Sequence, residues 1–179
     1  MIKKCDKKCN AFRKVSDSEI FANTDEWYAF LAGDPYIEGH AILSSTKHQL
    51  YYYDDKERLF SGKIIEGLDL ISKLLIKVLN QRPVEKVYIA RLCESTEHAH
   101  FHLFPRYKFN ETDIRDYVLQ FNNIKSAEAL SNAVGKMDLG GFWYMARGEQ
   151  STPREILKRK RRLSVLTKEL KREFHKLNY

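Results

Sequence analysis

Three histidines alternate with small and apolar residues in His98-Ala99-His100-Phe101-His102-Leu103-Phe104-Pro105-Arg106. Residues two apart in a strand share a face, so this run predicts a strand over about 97–104. The His98, His100 and His102 imidazoles would converge while Ala99, Phe101 and Leu103 turn toward a core. Pro105 is expected to end it, because proline removes a ladder donor. Three of the six histidines thereby share one small patch. Three chemistries fit it. A solvated polar face is the blandest, although Lys, Thr or Glu would serve as well and adjacent imidazoles repel once charged. Imidazole also suits zinc or copper, provided that the lone pairs meet one ion. In the third, a neutral imidazole attacks phosphorus while its neighbours hold the tautomer and supply protons.

The rest of the chain predicts what such a strand pairs with. Ile20-Phe21-Ala22 and Trp27 to Leu31 read as short strands separated by the turn-forming Asn23-Thr24-Asp25-Glu26. Gly33-Asp34-Pro35 punctuates, and His40 to Ser44 can form another strand. Ile64, Ile65, Leu68, Ile71, Leu74, Leu75, Val78 and Leu79 recur at three-and-four spacing, which marks a helix with one buried face ended before Pro83. From Glu85 the period becomes two, and Cys93-Glu94-Ser95-Thr96 suits a tight antiparallel link into the histidine strand. Short helices are expected over Glu111 to Val118 and Ala127 to Val134, and an aromatic strand over Phe142 to Met145, where Trp143 is a pocket candidate. From Pro153 to about Leu177 one helix carries Leu163, Leu166, Leu170, Phe174 and Leu177 on one side, so this tail packs on something.

The histidine run resembles the signature of the histidine triad (HIT) superfamily of nucleotide hydrolases and transferases, His-φ-His-φ-His-φ-φ. The following Pro105-Arg106 is similar to the fragile-histidine-type dinucleoside polyphosphate hydrolases. Upstream, Pro35-Tyr36-Ile37-Glu38-Gly39-His40-Ala41-Ile42-Leu43-Ser44-Ser45-Thr46-Lys47-His48 resembles the Gly-His block of the same superfamily. The resemblance implies an α+β fold, a HIT-like antiparallel sheet flanked by helices, here with an additional C-terminal helix. It also implies roles. His100 would attack the α-phosphorus, His102 would donate near the phosphate or leaving group, His98 would support the hydrogen-bond network, and His40 would be the auxiliary histidine. Phe21 falls on a nucleotide-pocket strand, Ser95 and Arg106 become phosphate contacts, and Asp34 and Glu94 are substrate-binding candidates. Two positions depart from the pattern: Ala32 stands where Asp or Asn usually meets the ribose, and Glu94 where such hydrolases often have Gln. Cys5, Cys9, His48 and His98 match positions that hold structural zinc in several members, although Cys5 and Cys9 are spaced C-x3-C. No organic cofactor is implied.

Charge and length bound the remaining choices. At 179 residues the chain suits one compact domain, read as a catalytic unit over 1–150 with a basic amphipathic helix over 151–179. The formal charge of +7 favours an anionic partner. Lys158-Arg159-Lys160-Arg161-Arg162 could touch nucleic acid or lipid, but a solvated helix face is the ordinary outcome, so nucleic acid is not expected. No apolar window is long enough to span a membrane, and the start does not read as a signal peptide. Three cysteines make no disulfide framework, which suits a reducing cytoplasm. The expected partner is a nucleotide, adenine-containing by resemblance, within a homodimer. The leading expectation is a hydrolase that passes through a nucleotidyl-histidine. Its alternatives are a phosphorylase or transferase, and a non-enzymatic nucleotide-binding or nucleic-acid-binding protein.

Overall fold

A computed structural model of the chain describes residues 15–32, 38–47, 62–79, 83–91, 98–107 and 153–177. Five strands, β1 (Ile20–Asn23), β2 (Trp27–Leu31), β3 (Ala41–Ser45), β4 (Val84–Ala90) and β5 (His100–Tyr107), form one antiparallel sheet in the order β1-β2-β3-β5-β4. The helices are α1 (Gly62–Val78) and α2 (Pro153–His175), giving the expected α+β fold. None of the described helices is long and apolar enough to cross a membrane. The expected elements over 111–118, 127–134 and 142–145, Trp143 included, lie outside the described residues.

Local chemistry sets the turns. Thr24 Oγ1 accepts from the backbone N–H groups of Glu26 and Trp27, both at 3.2 Å, and closes the β1–β2 hairpin. Gly39 takes φ +78° before β3, a left-handed conformation that suits glycine. A Cβ there would also lie 2.5 Å from Leu79 Cδ1.

The main core lies between the sheet and the two helices. Trp27, Ala29, Leu43, Phe101 and Leu103 from the strands join Ile64, Ile71, Leu74 and Leu75 of α1 and Leu166, Leu170 and Phe174 of α2. The tail helix therefore packs on the sheet and on α1, and Phe174 meets the edge of Trp27 at 6.3 Å between ring centroids. Gly67 lets α1 approach the indole, because a Cβ there would lie 2.7 Å from Trp27. Two positions of the apolar stripes turn outward: Ile65 is 55% and Leu177 43% exposed. Each sits at the margin of its stripe, and Leu177 falls in the turn after α2 has ended.

The histidine strand also departs from expectation at both ends. It begins at His100, and it continues through Pro105 to Tyr107, with Pro105 opposite Val87. Ser45 N–H donates to the Ala99 carbonyl at 3.2 Å, so alternate residues 99, 101, 103 and 105 direct their backbone polar groups toward β3. β3 starts opposite Leu103, hence the donor that Pro105 lacks has no ladder partner to lose.

Candidate active site

The register of β3 on β5 builds the site. Ile42 lies opposite His102 and Ser44 opposite His100, while Tyr28 and Phe30 of β2 face Ser44 and Ile42 from the other side. Period-two alternation puts these residues on the sheet face away from α1 and α2. The Gly39 turn delivers His40 to the same face, where its ring stacks on Phe104 at 4.2 Å and lies 5.1 Å from that of His102.

Three rings form one hydrogen-bonded chain. His40 Nε2 is 2.9 Å from His102 Nδ1, and His102 Nε2 is 3.1 Å from His100 Nε2. His100 Nδ1 lies 2.8 Å from the His98 carbonyl. That carbonyl can only accept, so His100 carries its proton on Nδ1 and, when neutral, keeps a lone pair on Nε2. The remaining assignments follow in turn: His102 donates Nε2–H to His100, and His40 donates Nε2–H to His102 Nδ1. His98 enters differently from the expected convergence of three triad rings. It lies just ahead of the strand, its ring is buried, and its Nε2–H donates to the Ser45 carbonyl at 2.8 Å. Its backbone carbonyl, not its imidazole, meets the other histidines.

Burial keeps this chain neutral. Desolvation, and then the proximity of His102, lowers the His40 pKa to about 3. Desolvation and then His100 lower His102 to about 4. His100 is also lowered, first by desolvation and further by the Arg91 charge, against the raising effect of the His98 carbonyl. Near pH 7 the site therefore presents neutral imidazoles with fixed tautomers.

The other candidates separate by place. Phe21 is buried in one cluster with Ala22 and Trp27 and with residues of α1 and α2. A register shift between Ile20 and Ala22 leaves Ile20 instead beside Tyr28, Phe30, Ala32 and Ile42, an apolar cluster next to the histidines. Ala32 donates its backbone N–H to the His40 carbonyl at 2.9 Å. Arg106 follows His102 and Phe104 along β5, with its guanidinium donating to Tyr88 Oη at 2.7 Å and pairing with Glu85 at 3.4 Å. Asp34, Glu94, Ser95, Cys5, Cys9 and His48 lie outside the described residues.

Sequence reasoning missed Ser44 and Phe104. Ser44 is fully buried opposite His100, and its Oγ has no hydrogen-bond partner among the described residues. The alternation His40, Ile42, Ser44 was the available signal for its facing the histidines. Among the described residues no group of three or more His, Cys, Asp or Glu side chains is arranged to hold a metal ion. Of the four zinc candidates only His98 can be placed; donation from its Nε2 leaves Nδ1 as the ligating nitrogen of a neutral ring.

Comparison with known proteins agrees with this arrangement. A family model described as HIT domain matches residues 13–109. No curated protein sequence gave a match. Among solved structures, a Hit-like protein involved in cell-cycle regulation from Bartonella henselae is 20% identical over 89% of each chain, with a TM-score of 0.50. A hypothetical histidine triad nucleotide-binding protein from Sulfolobus tokodaii is 14% identical, covering 89% of this chain and 85% of that one, with a TM-score of 0.51. A diadenosine triphosphate hydrolase from Plasmodium falciparum is 22% identical, covering 66% and 72% respectively, with a TM-score of 0.43. At these identities the likeness is one of fold.

Proposed function

The chain belongs to the HIT-domain family, whose model spans more than half of its length, and from that premise we propose a nucleotide hydrolase that works through a nucleotidyl-histidine. Its substrate is a dinucleoside polyphosphate, another nucleotide anhydride or a nucleoside phosphoramidate. The observation that carries this reading is the chain of neutral rings ending on His100 Nε2.

His100 Nε2 attacks the α-phosphorus, forming a P–N bond as the bond from phosphorus to the leaving oxygen or nitrogen breaks. At rest His102 Nε2–H points at that same lone pair, so His102 must swing its donor to the phosphate or leaving group as the lone pair is given up. The proton stays on His102, whose Nε2–H only hydrogen-bonds the departing atom; a phosphate group leaves as its anion, and an amine takes its proton from solvent. Water then attacks phosphorus, the P–N bond breaks with its electron pair returning to neutral His100 Nε2, and nucleoside monophosphate leaves while the water's extra proton passes to solvent. His40 holds His102 in the donating tautomer throughout.

The nucleoside rests on the apolar cluster of Ile20, Tyr28, Phe30, Ala32 and Ile42. Ala32 offers the ribose no carboxylate, a role this reading gives to Asp34. Glu94, Ser95 and Arg106 serve the phosphate end. Structural zinc at Cys5, Cys9, His48 and His98 belongs to the same family-level reading, and no step above passes through it.

The test is product-resolved turnover of diadenosine tri- and tetraphosphate, nucleoside diphosphates and an adenosine phosphoramidate, with wild type and His100→Ala compared. Nucleoside monophosphate released by wild type alone is the expected result. Equal rates in the two proteins would overturn the proposal. Nucleoside diphosphate formed only with added phosphate would make the protein a phosphorylase.

A further inference from the structure

Helix α2 divides its charges between two sides. Leu166, Leu170, Glu173 and Phe174 are buried toward the sheet and α1, and Glu169 is half-buried. The solvent side is basic: Lys160, Arg161, Lys168 and Arg172 are exposed, His175 follows, and Lys171 is half-buried beside them. Steps of three and four residues from Arg161 through Ser164, Lys168 and Lys171 or Arg172 to His175 make one stripe, about 21 Å long at the helical rise.

One contrast separates this stripe from an ordinary solvated face. On α1, Lys63, Lys73 and Lys77 pair with Glu26, Asp69 and Glu173. On α2, Lys160, Arg161, Lys168 and Lys171 have no carboxylate partner among the described residues.

We propose that this face of α2 binds the phosphodiester backbone of a nucleic acid. A line of solvent-side cations, four of them without a carboxylate partner among the described residues, matches a line of phosphates, and each contact releases condensed counterions. A lipid surface fits less well. The buried apolar side of α2, Leu166, Leu170 and Phe174, is committed to the core and cannot insert into a bilayer. None of the residues of this stripe belongs to the nucleotide site described above, so polymer binding and nucleotide turnover are separate readouts.

The experiment measures fluorescence anisotropy of labelled single-stranded RNA, single-stranded DNA and duplex DNA against salt, with the full chain. Two variants are compared with wild type: Lys160→Gln/Arg161→Gln/Lys168→Gln/Lys171→Gln on α2, and Lys63→Gln/Lys73→Gln on α1. The proposal expects salt-sensitive binding by wild type. Loss of four contacts in the α2 variant lowers the slope of log K against log salt by about 3 on a single strand, with thermal midpoint and nucleotide turnover retained, and the α1 variant binds as wild type does. Strand type and duplex are distinguished by which probe binds most tightly. Absence of salt-sensitive binding, an α2 variant that binds like wild type, or equal losses in both variants would overturn it. So would binding confined to phosphatidylserine-containing vesicles.

Discussion

The His98 carbonyl oxygen settles which nitrogen of His100 carries a proton, and through it the tautomers of His102 and His40. The alternation in the sequence made the shared face of His100 and His102 legible. It could not show that His98 would act through its backbone, since the strand begins only at His100. Nor could it place Ser44 beside His100, which requires a register between strands more than fifty residues apart. Two predictions belong here. His40 and His102 have pKa values lowered from 6.5 to about 3 and about 4. The unfolded chain therefore binds more protons than the folded one between those values and 6.5. Their contribution to stability is complete above about pH 6.5, declines below it and is gone once pH has fallen through about 4 and then 3; His40, the more deeply buried ring, accounts for most of a change on the order of a few kcal/mol, and solvent screening reduces the share of His102. Urea unfolding at pH 7 and pH 4 should show this loss reduced in His40→Gln, and an unchanged loss would contradict the assignment. Ser44→Ala removes a buried hydroxyl that has no partner among the described residues, so it should stabilise the free protein by roughly 1 kcal/mol, read as a higher urea midpoint.

At the scale of elements, apolar spacing located the helices and the short strands, while the exceptions came from packing against distant partners. Pro105 remains inside β5 because β3 has not begun at that level, which no local rule reveals. The stripe on α2 announced a docked helix without saying on what. It is held by Leu166, Leu170 and Phe174, and by the Lys77–Glu173 pair at 2.8 Å that ties α2 to α1. Hydrogen bonds from Lys176 and Lys77 hold the Glu173 carboxyl at about 2, so this link persists until strongly acid pH. Leu170→Ala should destabilise the whole domain by about 2–5 kcal/mol, because that side chain is fully buried in the shared core. A midpoint equal to wild type in urea unfolding would show α2 to be an appendage. Gly39→Ala combines a strained φ with a collision against Leu79. It should lower turnover through displacement of His40 more than it lowers the thermal midpoint, and a kcat equal to wild type would contradict that.

Across the molecule, one sheet separates two duties. Its helix side carries the large core, and its other side carries the three linked rings of His40, His100 and His102 beside a smaller apolar cluster. Net charge suggested an anionic partner without locating one. The structure buries Glu173 of α2 and leaves Lys160, Arg161, Lys168 and Arg172 exposed, an asymmetry that composition averages away. The side of Phe21 was likewise illegible, because a register irregularity in β1 reverses the simple alternation there. The most direct test of the account is to quench wild type and His100→Ala at alkaline pH during turnover of an adenosine phosphoramidate and locate any nucleotidyl adduct by peptide mass spectrometry. The account predicts an adenylyl group on His100 in wild type and none in the variant. An adduct on His98, His102 or His40, or turnover by the variant at the wild-type rate, would contradict it.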